Sequence, residues 1–199
     1  MGNPFIHPTA EVESTAYIGQ DSKIWNYAQI CKGSQLGENV IVGRNVYIGT
    51  GVQIGANCKI QNNTSIYEPA ILEEGVFVGP GVVFTNDTYP RAINSDGTQK
   101  GSGDWKIVGV KVKRGASIGA GSVCIAPIEI GEWALVAAGS TVTKDVPNFA
   151  LLAGVPARRI GWVGKLGLPL RPQGDGKFTC PESGINYLQL DENTLVEEN

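Results

Sequence analysis

From residue 6 to residue 84 every sixth position is apolar: Ile6, Val12, Ile18, Ile24, Ile30, Leu36, Val42, Ile48, Ile54, Ile60, Ile66, Leu72, Val78, Phe84. A period of six fits neither the 3.6-residue turn of an amphipathic helix nor the plain alternation of an ordinary strand. It predicts a solenoid of short strands and tight turns, in which each hexad is one flat face of a coil. The neighbours of the slot agree. Glycine often follows it (Gly19, Gly37, Gly43, Gly49, Gly55, Gly79), and four residues on stands something small or β-branched, such as Ala28, Val40, Val52, Cys58 or Thr64. Residues of that size suit a narrow interior corner.

The register then slips. After Phe84 the apolar slots resume at Val112, a step of 28 residues that is not a multiple of six, and continue through Ile118, Cys124, Ile130, Val136 and Val142. Residues 85–109 (TNDTYPRAINSDGTQKGSGDWKIVG) are therefore an insertion. They are rich in Gly, Asn, Asp and Ser and carry Arg91, Lys100 and Trp105. A long loop thrown from a rigid scaffold is a usual place for a functional site.

Beyond Gly164 the hexads stop. The segment LGLPLRPQGDGKFTCPESGINYLQLDEN alternates apolar residues around a PESG turn, which predicts a small hairpin between FTC and INYLQL. The acidic residues 191–199 are expected to be disordered, and the extension is free to cover a neighbouring subunit. The division expected is a solenoid domain over 1–161 and an extension over 162–199.

Several classes of function are disfavoured by composition. A net charge of -3 argues against bulk binding of nucleic acid or an anionic membrane. No apolar run of about 18 residues predicts a transmembrane helix, and the first residues lack the pattern of a signal peptide. The four cysteines have no CxxC spacing, and Cys58 and Cys124 fall in repeat positions, so packing in a reducing cytoplasm is the expected role. CPESG is half of a zinc ribbon without its partner cysteines, and no metal is assigned. The single histidine, His7, is read as a turn residue at the mouth of the first coil.

Within the repeats some side chains exceed what packing requires. Trp25 and Tyr27 either line a cleft or cover the outside of a coil, the second being favoured. Asn62 and Asn63 suit a turn, where asparagine tolerates left-handed angles and ladders along an axis. Gln61, Tyr67 and Glu68 are bulky enough to be candidates for a site wall.

The unbroken hexads, with VPNFALLAGVPARRIG at residues 146–161, resemble the hexapeptide-repeat acyltransferase family. The resemblance implies an all-β fold, a left-handed parallel β-helix of 18-residue coils. The handedness comes from the resemblance alone, since parallel crossovers are otherwise nearly always right-handed. It also implies acetyl-CoA as cosubstrate and a homotrimer with sites between subunits. On this reading GASIGAGS and AAGSTVTKDV give the coenzyme a smooth track at Ala120 and Ala138, and Lys144, Arg158 and Arg159 meet its phosphates. One histidine per chain cannot build the three-histidine zinc site of the carbonic anhydrases of this fold. Nor does it leave the mid-helix histidine base that many acetyltransferases of this fold use.

KIQNNTSIYE and LEEGVFVGPGVVFTNDTYPRA look similar to the enzymes that acetylate the 3-amino group of UDP-2-acetamido-3-amino-2,3-dideoxy-glucuronate. Sister enzymes acting on dTDP-3-amino-dideoxyhexoses share the FTN-x-x-x-PR pattern. The resemblance places Asn86 at the reacting centre, with Asp87 as the alternative base, Arg91 on the diphosphate or uronate, and Glu68 orienting the amine. A plain Asx turn at Asn86–Asp87, and a non-enzymatic β-helix scaffold, are the competing readings.

Overall fold

The computed structural model describes residues 2–198. The chain is all-β: a left-handed parallel β-helix whose strands, most of them two residues long, repeat every 18 residues. Three faces result. Face A stacks nine strands from Phe5–Ile6 to Ala157–Trp162, face B seven from Glu11–Val12 to Thr141–Val142, and face C six from Tyr17–Ile18 to Ile128–Ile130.

The apolar slots form the core because each points into the interior and stacks on the slots of adjacent coils. Ile24, Ile30, Leu36, Ile48, Ile60, Ile66, Ile118 and Val136 are fully buried. Each such side chain contributes about 1.5–3 kcal/mol through removal from water. The first coil lacks a coil beneath it, so Ile6 stays 40% exposed at the open end. Cys58 and Cys124 pack in this core as free thiols, which matches the repeat-slot reading.

At the A–B corner one turn position needs a positive φ in successive coils, and Tyr27, Asn45, Asn63 and Gly81 fill it. Asn45 Nδ2 donates to Asn63 Oδ1 at 3.2 Å, and Asn62 Oδ1 accepts from the Arg44 N–H at 2.9 Å, so the expected asparagine ladder is present. Tyr27 lies under Arg44 and Trp25 against Phe5, both on the outside of the coils. The His7 ring accepts from the Thr9 N–H within its own turn.

The insertion occupies residues 85–109, between strands Val83–Phe84 and Val110–Val112, at the B–C corner. Beyond it the helix resumes in register, with Leu72 opposite Val112 and Phe84 opposite Cys124. The loop leaves and returns to one place: the Val108 N–H donates to Asn86 O at 3.0 Å, and the Ala126 N–H to Thr85 Oγ1 at 3.0 Å.

The last coil closes through an antiparallel hairpin of Ala150–Gly154 and Ala157–Trp162. The extension differs from expectation. It forms a four-stranded antiparallel sheet (Arg171–Gly174, Lys177–Thr179, Asn186–Asp191, Thr194–Glu197), of which the predicted hairpin is only the middle. The segment expected to be disordered supplies the fourth strand up to Glu197. Leu195 is buried there, and an Asp191 carboxylate accepts from the Asn193 N–H and the Thr194 hydroxyl to fix the turn. Residue 199 lies outside the described residues. The sheet packs on its own chain, with Tyr187 edge-on to Phe149 at 5.5 Å. No helix among the described residues is long and apolar enough to cross a membrane.

Candidate functional site

Strand register fixes which corner residues stack. Ile66, Phe84, Cys124 and Val142 are successive partners on face B. Two residues beyond each, at the B–C corner, stand Glu68, Asn86, Ala126 and Lys144 in one line along the axis. Neighbouring strands lie about 4.8 Å apart, so Asn86 sits roughly 5 Å above Glu68 and roughly 10 Å below Lys144 at the backbone. Side chains separated by 18 and 58 positions in the chain thus share one edge. Asp87 follows Asn86, half-buried, and its Oδ1 accepts from the Tyr89 N–H at 2.8 Å, the Asx turn that starts the loop.

The lower part of this corner is crowded and polar. Glu68 turns its carboxylate back over Gly49 of the coil below, where a Cβ would lie 2.2 Å from Oε2 and only glycine fits. That Oε2 is buried and has no hydrogen-bond partner among the described residues. A buried acceptor left unpaired costs on the order of 1–3 kcal/mol. Tyr67 packs against Tyr47 at 5.1 Å. Burial first, then a hydrogen bond with the Cys31 thiol and the nearby Glu68 charge, raise the Tyr47 phenol well above its ordinary range and keep it neutral. Tyr47 and Cys31 escaped sequence reasoning because each occupies an ordinary repeat position; only coil stacking brings them to Glu68.

The upper end of the line opens into a cavity of about 380 Å³ between the last B–C corner, the terminal hairpin and the tip of the C-terminal sheet. Lys144, Arg158 and Arg159 all line it, so three of the five residues expected to hold the coenzyme converge. The Arg159 guanidinium lies 4.2 Å over the Trp162 ring and donates to the Glu192 carbonyl, contributed by the strand turn of the extension. Trp162 is held in turn by Gln189 Oε1 at 3.2 Å.

The other expected residues are elsewhere. Gln61, Ala120 and Ala138 lie on the A–B corner, across face B from Glu68, Asn86 and Lys144. Arg91 is exposed on the insertion and donates to the adjacent Pro90 carbonyl at 3.0 Å. The cavity of the insertion itself, about 240 Å³, is lined instead by Lys100, Trp105 and Lys106 with Asp87 and Tyr89. Lys106 escaped sequence reasoning; a second cation beside a tryptophan in a loop was the available signal. Among the described residues no group of three His, Cys, Asp or Glu side chains is placed to hold a metal ion.

Comparison with known proteins agrees with the repeat. A family model described as bacterial transferase hexapeptide (six repeats) matches residues 15–50 and 51–86. A second, hexapeptide repeat of succinyl-transferase, matches residues 103–144, and together they take in more than half of the chain. The chain is 60% identical over 52 residues to a dTDP-3-amino-3,6-dideoxy-alpha-D-galactopyranose 3-N-acetyltransferase of Aneurinibacillus thermoaerophilus, covering 26% of this chain and 27% of that protein. It is 38% identical over 146 residues to the bifunctional protein GlmU of Shouchella clausii, covering 73% of this chain and 28% of that protein. The matches thus span less than a third of the length of these curated relatives. Among solved structures, the acetyltransferase domain of PglB from Neisseria gonorrhoeae, in complex with acetyl coenzyme A, aligns with a TM-score of 0.50 at 21% identity, over 79% of this chain and 58% of that one. That likeness concerns the fold.

Proposed function

We propose, from the premise that the chain belongs to the hexapeptide-repeat transferase family, that it is an acetyl-CoA-dependent N-acetyltransferase acting on a nucleotide-linked amino sugar. The observation that carries this reading is the single edge joining Glu68, Asn86 and Lys144, with a cavity lined by Lys144, Arg158 and Arg159 at one end and an inserted loop beside Asn86. Donor and acceptor need such neighbouring compartments.

The chemistry is attack of an amine on a thioester. The amine nitrogen bonds to the acetyl carbon, the carbonyl oxygen takes up the charge, and the C–S bond then breaks to release coenzyme A as its thiolate. That thiolate accepts the proton that the nitrogen gives up, so no strong base is required. The Asn86 amide donates to the oxyanion, a contribution typically worth about 10²–10³-fold. Glu68 orients the amine by accepting from its N–H through Oε1, since its Oε2 is buried over Gly49. Asp87 is the alternative acceptor, half-engaged in its turn. Lys144, Arg158 and Arg159 hold the coenzyme phosphates through charge-assisted hydrogen bonds.

The pantetheine track at Ala120 and Ala138 lies on a different corner from Asn86. One chain therefore presents each wall of the site separately, and closure needs the A–B corner of one copy against the B–C corner of the next. A homotrimer satisfies this three times over. The four free thiols fit a reducing compartment, the cytoplasm.

For the acceptor we favour UDP-2-acetamido-3-amino-2,3-dideoxy-glucuronate, a building block of surface polysaccharide. The 60% identity to the Aneurinibacillus thermoaerophilus enzyme favours a dTDP-3-amino-dideoxyhexose as the second reading. Thermal shift with acetyl-CoA tests the donor half, since a ligand at a hundred times its Kd stabilises the folded state by about 2.7 kcal/mol. No shift at saturating coenzyme would leave a non-enzymatic scaffold as the better reading. Asn86→Ala tests the reaction: turnover should drop about 10²-fold or more while the Kd for coenzyme A stays within twofold. An equal loss in both would remove Asn86 from the mechanism.

A further inference from the structure

The insertion holds two lysines that the acetyl-transfer scheme leaves unused. Lys100 and Lys106 line its cavity together with Trp105 and Asp87. Neither lysine forms an ion pair among the described residues, whereas Lys111, Lys113, Arg114 and Lys165 all do. The carboxylates of the loop are otherwise occupied. Asp96 accepts from the Thr98 N–H and hydroxyl at 2.9 and 2.6 Å. Asp104 lies near enough to Lys100 to feel its charge, yet accepts from the Gly101 N–H at 2.8 Å and from Asn94 at 3.4 Å. Asp87 is engaged by Tyr89.

The frame around the lysines is built rather than loose. Asn94 and Thr98 close a small hairpin, Ile93 pairs with Gln99, and the Lys100 N–H donates to Ala92 O at 3.0 Å. Two cations thus stand on an anchored loop and share a cavity with Trp105 and with Asp87, the residue after Asn86.

We propose that this cavity receives the anionic group of the acceptor, a carboxylate or phosphate oxygen of an acidic nucleotide sugar. The lysine pair binds the oxyanion, and Trp105 offers an apolar face to the attached ring. Because Asp87 closes the same cavity and adjoins Asn86, an acceptor held there brings its amine to the reacting edge. This assignment rests on the amino-sugar acetyltransferase reading and names the group by which such a substrate is recognised. It takes the role first expected of Arg91.

Calorimetric titration of the whole protein tests it, with UDP-glucuronate, UDP-glucose and dTDP-glucose as unreactive probes and coenzyme A as control. The double variant Lys100→Ala/Lys106→Ala should weaken nucleotide-sugar binding about ten- to a hundredfold, the range for charge-assisted hydrogen bonds, and leave coenzyme A binding unchanged. Lys100→Arg/Lys106→Arg, which keeps both charges, should retain most of the affinity and guards against a folding defect. A loss shared by UDP-glucuronate and UDP-glucose assigns the lysines to the phosphates; a loss confined to UDP-glucuronate assigns them to the carboxylate. Unchanged affinity for every nucleotide sugar that the native protein binds overturns this site and leaves the acetyltransferase reading standing. Native protein that binds coenzyme A and none of the three probes overturns the lysine site too. Failure to bind coenzyme A as well overturns the parent reading.

Discussion

At a single residue, the same apolar slot carries different weight according to where its coil lies. Ile60 is fully buried in mid-helix, and Ile6 is 40% exposed at the open end. Ile60→Ala should cost about 2–5 kcal/mol and Ile6→Ala clearly less, a contrast that urea unfolding resolves. Equal costs would mean that the first coil is covered in solution. The buried thiols add a pH signature. Burial, the largest influence on each, raises Cys58 to about 11 and Cys124 to about 12 from an ordinary 9.0. Below pH 9.0 both states keep these protons, and their contribution to stability is fully present. Above it the unfolded chain releases them first, so stability falls as pH climbs through the folded values. Urea midpoints at pH 8 and 10.5 should differ less in a Cys124→Val variant than in the native protein. At pH 8 a disulfide reagent should label the half-exposed Cys31 in the native state and reach Cys58 and Cys124 only on unfolding.

Among the elements, the insertion is separable from the scaffold that carries it. Leu72 and Val112 pair as though the loop were absent, and the chain between Phe84 and Val112 exceeds an ordinary hexad by 22 residues. Excising residues 87–108 should keep the β-strand circular dichroism and coenzyme A binding while abolishing acetyl transfer. Loss of the fold would show that the loop is structural. The contrast between coil and loop explains how much was legible in the residues themselves. Hexads are visible because an axial core demands one apolar residue per face in a fixed register, and the insertion is visible as the break in that demand. The Glu68–Asn86–Lys144 edge is partly visible, since each residue stands out by itself but their alignment follows only from 18-residue stacking. The placement of Gln61, Ala120 and Ala138 on another corner was hidden for the same reason. The C-terminal sheet is hard to read because its last strand, TLVE, is short and lies among acidic residues: Leu195 is buried, Val196 half-buried, and backbone pairing with Asn186–Asp191 does the rest.

For the whole molecule, the proposed site needs more than one copy of the chain. A triangular rod has convex corners, and its two functional corners face different directions, so a lone rod has walls and no cleft. Light scattering should give three times the 21.1 kDa chain mass, and dilution to monomer should abolish turnover. A fully active monomer would contradict the shared site. The extension packs on the end of its own rod and holds Arg159 through Trp162 and Glu192. Its tip therefore lines the cavity that holds Lys144, Arg158 and Arg159. The most direct measurement is release of free coenzyme A thiol from acetyl-CoA in the presence of nucleotide-linked 3-amino sugars. The proposed reaction predicts stoichiometric thiol release and N-acetylated sugar only when both substrates are present, with Asn86→Ala slowed about 10²-fold or more. No release with any UDP- or dTDP-linked 3-amino sugar, from protein that is folded and trimeric, would contradict it.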